Sequence, residues 1–252
     1  MSLYSNPLLT YLLEERHGHL WHEGPDHFLN STPLDIIRHH LTKETDSNQN
    51  YLVIADRSDL EGQGLLVINL NFHGHIDALR EKVYKTSDFV PSLDINHVSW
   101  VDSLRKAERP LFPRKSIALF AAVDLHPRMM MRKIHDTMNG GLDGRREGMG
   151  SIMADWESAS SENFDEVVQQ WRSNAREREW WNGAIVLVTQ ESWKEGEVVV
   201  VIETPESGHK VEKVQVKAGL AGELLLWLYV GLITAKEARS ENGLDDLLNL
   251  LD

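Results

Sequence analysis

The chain contains no cysteine, which excludes disulfides, thiolate zinc sites, iron–sulfur clusters and cysteine nucleophiles. Basic charge is scarce too. The 26 Lys and Arg face 39 Asp and Glu, a formal charge of −13. Such a surface repels phosphate backbones and anionic membranes, so neither nucleic acid nor membrane is expected as a partner. The two local exceptions, Arg128 with Arg132 and Lys133, and Arg145 with Arg146, are small and flanked by acids. Long apolar runs are missing. The longest, from Gly219 to Ala235, contains Glu223 and falls short of the roughly 20 residues a spanning helix needs. There is no Gly-x-Gly-x-x-Gly opening a helix, no Walker A loop and no Gly-x-Ser-x-Gly elbow. The first residues lack a basic stretch followed by an apolar core, so a soluble, cytoplasmic protein is expected.

What is present is ordinary globular material, 41% hydrophobic and 26% charged. Asn6 and Pro7 open a first helix with Leu8, Leu9, Leu12 and Leu13 on one stripe. A loop rich in histidine follows, from His17 to Asn30. Thr32-Pro33-Leu34-Asp35 repeats the start signal, with Leu34, Ile37 and Leu41 on the apolar side of a second helix. Two short strands, Tyr51 to Ala55 and Leu65 to Leu70, are placed to pair as a hairpin. Ile76 to Tyr84 fits either helix or strand. Asp94 is expected to cap a helix carrying Ile95, Val98, Val101 and Leu104. Ile117 to Val123 is a third strand. Pro127 then opens a helix, with Met130, Ile134 and Met138 as its core stripe, that Asn139-Gly140-Gly141 is expected to stop.

Composition shifts to Gly, Ser, Arg and Glu over residues 141–163, a candidate mobile loop or internal boundary. Phe164, Val167, Val168 and Trp171 form the next helical stripe. Strands at 184–189, 198–203 and 211–217 form a C-terminal meander, and the apolar helix at 219–235 is expected to be buried against it. Leu244, Leu247, Leu248 and Leu251 suggest a last amphipathic helix. This order predicts an α/β or α+β fold in a single domain, 1–252. Its core would be one mixed sheet of about five to six strands covered by helices, with the C-terminal antiparallel meander packed on a buried helix.

The densest chemistry lies at the end of the second strand, in His73, His75 and Asp77. Residues two apart in a strand share a face, and imidazole with carboxylate suits a divalent metal. Asp124 and His126 end another predicted strand; if the two strands were parallel neighbours, their carboxyl ends would share a crevice. Asp56, at the end of the first strand, is a further candidate. The stretch His73-Gly74-His75-Ile76-Asp77-Ala78-Leu79 resembles the metal-binding segment of the kynurenine formamidase (cyclase) family, His-x-Gly-Thr-His-x-Asp followed by small residues and Pro. Here the Thr is missing, the first spacing is shorter by two and Leu79 replaces the Pro. The likeness ends with those residues and names no family. His-x-His also resembles amidohydrolases, whose barrel does not fit this element order. The competing reading makes the histidines turn residues and Asp77 the cap of a short helix.

The segment His17-Gly18-His19-Leu20-Trp21-His22 has chelating spacing but no rigid element to hold it, and His39 with His40 is expected to face solvent. Trp180, Trp181 and Trp193 flank a strand and are candidates for a ligand or interface rim. The leading expectation is therefore a binding or interaction protein without covalent catalysis, holding a protein or small-molecule partner. The alternative is a metal-dependent hydrolase using the His/His/Asp group.

Overall fold

In the computed structural model of the chain, the described residues are 31–42, 50–57, 59–72, 75–106, 115–123, 127–143, 152–159, 161, 163–190, 198–203 and 211–239. The helices expected at Asn6 and around Leu244 lie outside them, as does the His17 to Asn30 loop. The fold is α+β. A five-stranded mixed sheet covered by helices is present, and the earlier strands build a separate three-stranded antiparallel sheet. The chain divides into two compact units, residues 1–111 with 247–252 and residues 112–246.

The first unit begins its described part with α1 (Pro33–Thr42), which buries Leu34 and Ile37. Its start is sealed reciprocally. The Asp35 N–H donates to Thr32 Oγ1 at 3.2 Å, and the Thr32 N–H donates to the Asp35 carboxylate at 3.2 Å. The expected hairpin forms: β1 (Tyr51–Ile54) pairs antiparallel with β2 (Leu65–Phe72). The connection contains a single helical turn, α2 (Leu60–Gln63), capped by Asp59. Gly64 closes that turn at φ +71°, where any Cβ would stand 2.5 Å from the Glu81 carbonyl oxygen. The ambiguous stretch splits: β3 (His75–Glu81) pairs antiparallel with β2, and α3 (Val83–Asp94) follows.

Asp94 ends this helix instead of capping the next one. The start signal of α4 (Trp100–Lys106) is Ser99, whose Oγ accepts from the Asp102 N–H at 3.0 Å and donates to its carboxylate at 2.8 Å. Between the two helices Asn96 takes φ +55°, which breaks the apolar stripe read across them.

In the second unit the strands are β4 (Ile117–Ala121), β5 (Ala154–Ser158), β6 (Ala184–Val188), β7 (Val198–Glu203) and β8 (Glu212–Lys217). Their order is β5-β4-β6-β7-β8, parallel across the first three and antiparallel across the last three. The meander is as expected. Two helices make the parallel crossovers, α5 (Pro127–Asp143) and α6 (Phe164–Ala175). Val167, Val168 and Trp171 of α6 join Ala118, Phe120, Ile185, Leu187, Val200 and Ile202 in one buried cluster on one face of the sheet. The other face receives α7 (Ala218–Val230), buried on nearly all sides and packed on β7, β8 and α5. Gly231 closes α7 in the left-handed region, φ +79°, with its N–H on the carbonyls of Trp227 and Leu228.

Helix α5 runs through Asn139-Gly140-Gly141 to Asp143, contrary to the stop expected there. The Asn139 side chain is buried and faces away from the capping role. Its Oδ1 accepts the Ile152 N–H at 2.9 Å, and its Nδ2 donates to the carbonyls of His135 at 3.0 Å and Ile152 at 3.3 Å. Of the expected stripe of α5, Ile134 and Met138 are buried, and Met131 is buried beside them; the Met130 side chain lies outside the described set. Strand β5 falls inside the 141–163 stretch read as a loop or boundary.

The last described helix, α8 (Ala235–Ala238), has a full capping box between Thr234 and Glu237, and its first N–H donates to Glu203 Oε2 at 3.0 Å. Burial pushes the Glu203 carboxyl above its ordinary value; the Ala235 N–H opposes this and the carboxylates of Glu212 and Glu237 add to it. A carboxyl raised on folding stabilises most when protonated in both states, and that contribution is lost as pH rises through the raised value. Replacing Glu203 with Gln keeps an acceptor for Ala235 and removes the charge. The melting temperature of E203Q relative to wild type is therefore expected to rise as pH increases from the ordinary carboxyl range through the raised value, as read by circular dichroism. A pH-independent difference would show that the carboxyl is not raised.

Candidate functional site

Of the five residues expected to gather a metal, one side chain can be placed. Asp77 is not a helix cap. It lies inside β3, 5% exposed, opposite Asn69 of β2. Its Oδ2 accepts the Trp100 indole N–H at 2.9 Å and its Oδ1 accepts the Ala78 N–H at 2.9 Å. Tyr51, opposite Asn69 on the outer strand, brings its ring to 6.1 Å from that of Trp100. Burial, then the Asp94 carboxylate, pushes the Tyr51 hydroxyl above its ordinary value. This row of Tyr51, Asn69 and Asp77, with Trp100 bonded to it, holds β2, β3 and α4 in one packing arrangement.

The backbone of His75 belongs to β3, and its side chain lies outside the described set, as do His73, Asp124 and His126. Strand β4 has β5 and β6 as parallel neighbours and belongs to a different sheet from β2 and β3. The parallel pairing required for a shared crevice is therefore absent, because β2 is spent on two antiparallel neighbours. Asp56 is committed elsewhere. The 4%-exposed Arg80 holds it in a two-pronged pair, Nη1 to Oδ1 at 3.0 Å and Nη2 to Oδ2 at 2.6 Å. Among the described residues no three His, Asp or Glu groups stand close enough to hold a metal ion.

The tryptophans separate as well. Trp180 does not line a rim. It is 2% exposed in the α6 cluster, with its ring edge-on to Phe120 at 5.8 Å and its indole N–H donated to Asp155 at 2.9 Å. Trp181 is half-buried, edge-on to Tyr229 at 5.6 Å. Trp193 lies outside the described residues. His40 is half-buried instead of facing solvent. Burial, then His39, pulls its pKa down, and its buried Nε2 has no hydrogen-bond partner among the described residues.

The surface feature that sequence reasoning missed is β5. It is the outer strand of the second unit's sheet and pairs with β4 alone among the described residues. Register places Asp155 and Glu157 beside Ala118 and Phe120, on the α6 face, and Trp156 beside Leu119 on the opposite face. Trp156 is 37% exposed and Met153, just before the strand, 46%. On the α6 face, Arg178 lies 3.5 Å from the Asp155 carboxylate and 3.9 Å from that of Glu157, while Asn174 donates to Glu157 at 3.3 Å. One guanidinium shared by two carboxylates leaves this row negative. The other outer strand, β8, turns Lys213, Gln215 and Lys217 outward, a common way to blunt a sheet edge. The alternation Asp-Trp-Glu-Ser was the available signal for β5, a period-two pattern inside a polar stretch.

Compared with known proteins, the chain matches no family model, no curated protein and no solved structure.

The Asp77 bonds make a quantitative test of its structural role. Trp100→Phe keeps the ring and leaves the buried carboxylate without its indole donor. It is expected to cost about 1–3 kcal/mol in urea unfolding followed by circular dichroism. A loss below about 0.5 kcal/mol would mean that the bond does not hold α4 to the sheet.

Proposed function

We propose that this chain is a binding protein that works by holding a partner polypeptide and not by covalent chemistry, and that the partner docks along the outer edge of β5. The observation that carries this reading is the asymmetry of the five-stranded sheet. Among the described residues, one outer strand pairs on one side only and carries the exposed Trp156, with the exposed Met153 just ahead of it in the chain, while the other carries lysines. An unpaired strand edge offers a row of backbone N–H and C=O groups that an extended segment can complete, with side-chain contacts supplying selectivity. Aromatic and methionine side chains are the types most enriched where protein partners meet. The charged row of Asp155 and Glu157 with Arg178 gives the edge a polar side as well.

The test compares wild type with a Met153→Lys/Trp156→Lys variant, both tagged and incubated in extract of the cells that express the protein. The two should melt within about 2 °C of each other, since both positions are exposed. A protein recovered in stoichiometric amount with wild type should be lost with the variant, and its complex should slow hydrogen exchange at the amides of 154–158. Recovery of the same proteins by both, or unchanged exchange across β5 in the complex, would sink the proposal.

A further inference from the structure

Resting on the docking edge just described, we infer that its occupant is an extended segment of a partner protein in which basic and apolar residues alternate, basic–apolar–basic across Asp155, Trp156 and Glu157. Successive side chains of a strand point to opposite faces, so a strand added beside β5 sets one residue next to Trp156 on one face and its two neighbours next to Asp155 and Glu157 on the other. The side chain of Asp155 is 41% exposed and that of Glu157 24%, and Arg178 compensates only one of their two charges. Lys or Arg at the flanking positions would supply the missing charge, and an apolar residue between them would cover the Trp156 ring. The formal charge of −13 attracts such a segment at long range.

A second copy of the chain fits poorly. Antiparallel self-pairing about Trp156 would place each Asp155 opposite a Glu157, and like charges directly opposite are destabilising.

Three fluorescein-labelled seven-residue peptides test the inference on the full chain: Thr-Lys-Val-Lys-Val-Lys-Thr, its Glu analogue Thr-Glu-Val-Glu-Val-Glu-Thr, and the same basic composition with its lysines contiguous, Thr-Lys-Lys-Lys-Val-Val-Thr. Binding is read by anisotropy and located by hydrogen exchange. The alternating basic peptide should bind, slow exchange at 154–158 and weaken as salt rises, whereas the other two should leave β5 unprotected. Glu157→Gln, which keeps an acceptor for Asn174, should weaken the alternating basic peptide about fivefold. Equal protection of β5 by the acidic and basic peptides would overturn the charge inference and leave the docking edge standing. A concentration-dependent dimer in sedimentation, with 154–158 protected and abolished by Trp156→Lys, would overturn it in favour of a second copy. Failure of every peptide to protect β5 would overturn the inference; the docking-edge reading is judged separately, by the extract experiment.

Discussion

Ile117, Ala118, Leu119 and Phe120 are all buried, and that single fact organises the second unit. A strand with apolar side chains on both faces must be covered above and below, and its backbone N–H and C=O groups, shut off from water, must be met by strands on both sides. The laterals are β5 and β6. On one face the cover is α6, through Val167, Val168 and Trp171. The antiparallel meander then extends the sheet from β6, and α7 seals the opposite side of β7 and β8 with Val214 and Val216 beneath it. Each later element is placed by what an earlier one leaves uncovered.

Strands buried on two faces announce themselves as unbroken apolar runs. For that reason β4, β6 and β7 were legible in the sequence, and β8 was legible from its alternation. Strand β5 was not. It is half solvated, its residues are Ala, Asp, Trp, Glu and Ser, and it sits within a segment whose composition reads as loop. Strand β3 was ambiguous for a different reason. Its polar residues are satisfied by partners far along the chain: Asp77 by Trp100, 23 positions on, and Arg80 by Asp56, 24 positions back. A local reading meets Asp77 ahead of Ala78 and Leu79 and sees a helix cap, because the indole that claims the carboxylate leaves no mark nearby. The same limit applied to the site. Aromatic content pointed to Trp180, which the core absorbed, and passed over Trp156, whose only distinction is a place on an outer strand.

The polar groups inside the first unit's sheet serve to fix register. Residues 66 and 80 face each other, as do 67 and 79. A slip of one position along β3 would turn every side chain to the other face and carry Arg80 away from Asp56, stranding a buried guanidinium. An all-apolar strand could tolerate that slip; this one cannot. The two-pronged geometry, with Nη1 donating to Oδ1 and Nη2 to Oδ2, admits one alignment.

The bonds from Asn139 to Ile152 have a consequence for the outer strand. They fasten the residue two places ahead of β5 to the C-terminal part of a 17-residue helix, while β4 holds the strand along its length. Strand β5 is thus tied at its start and along one side. Ordering a floppy edge is part of what weakens many associations, and such ties reduce how much ordering is left to do on binding. A segment docking beside β5, as proposed, would meet an edge held at its start by a helix and along its length by β4, so the contacts it makes would weigh more in its off-rate than ordering of the edge beneath it.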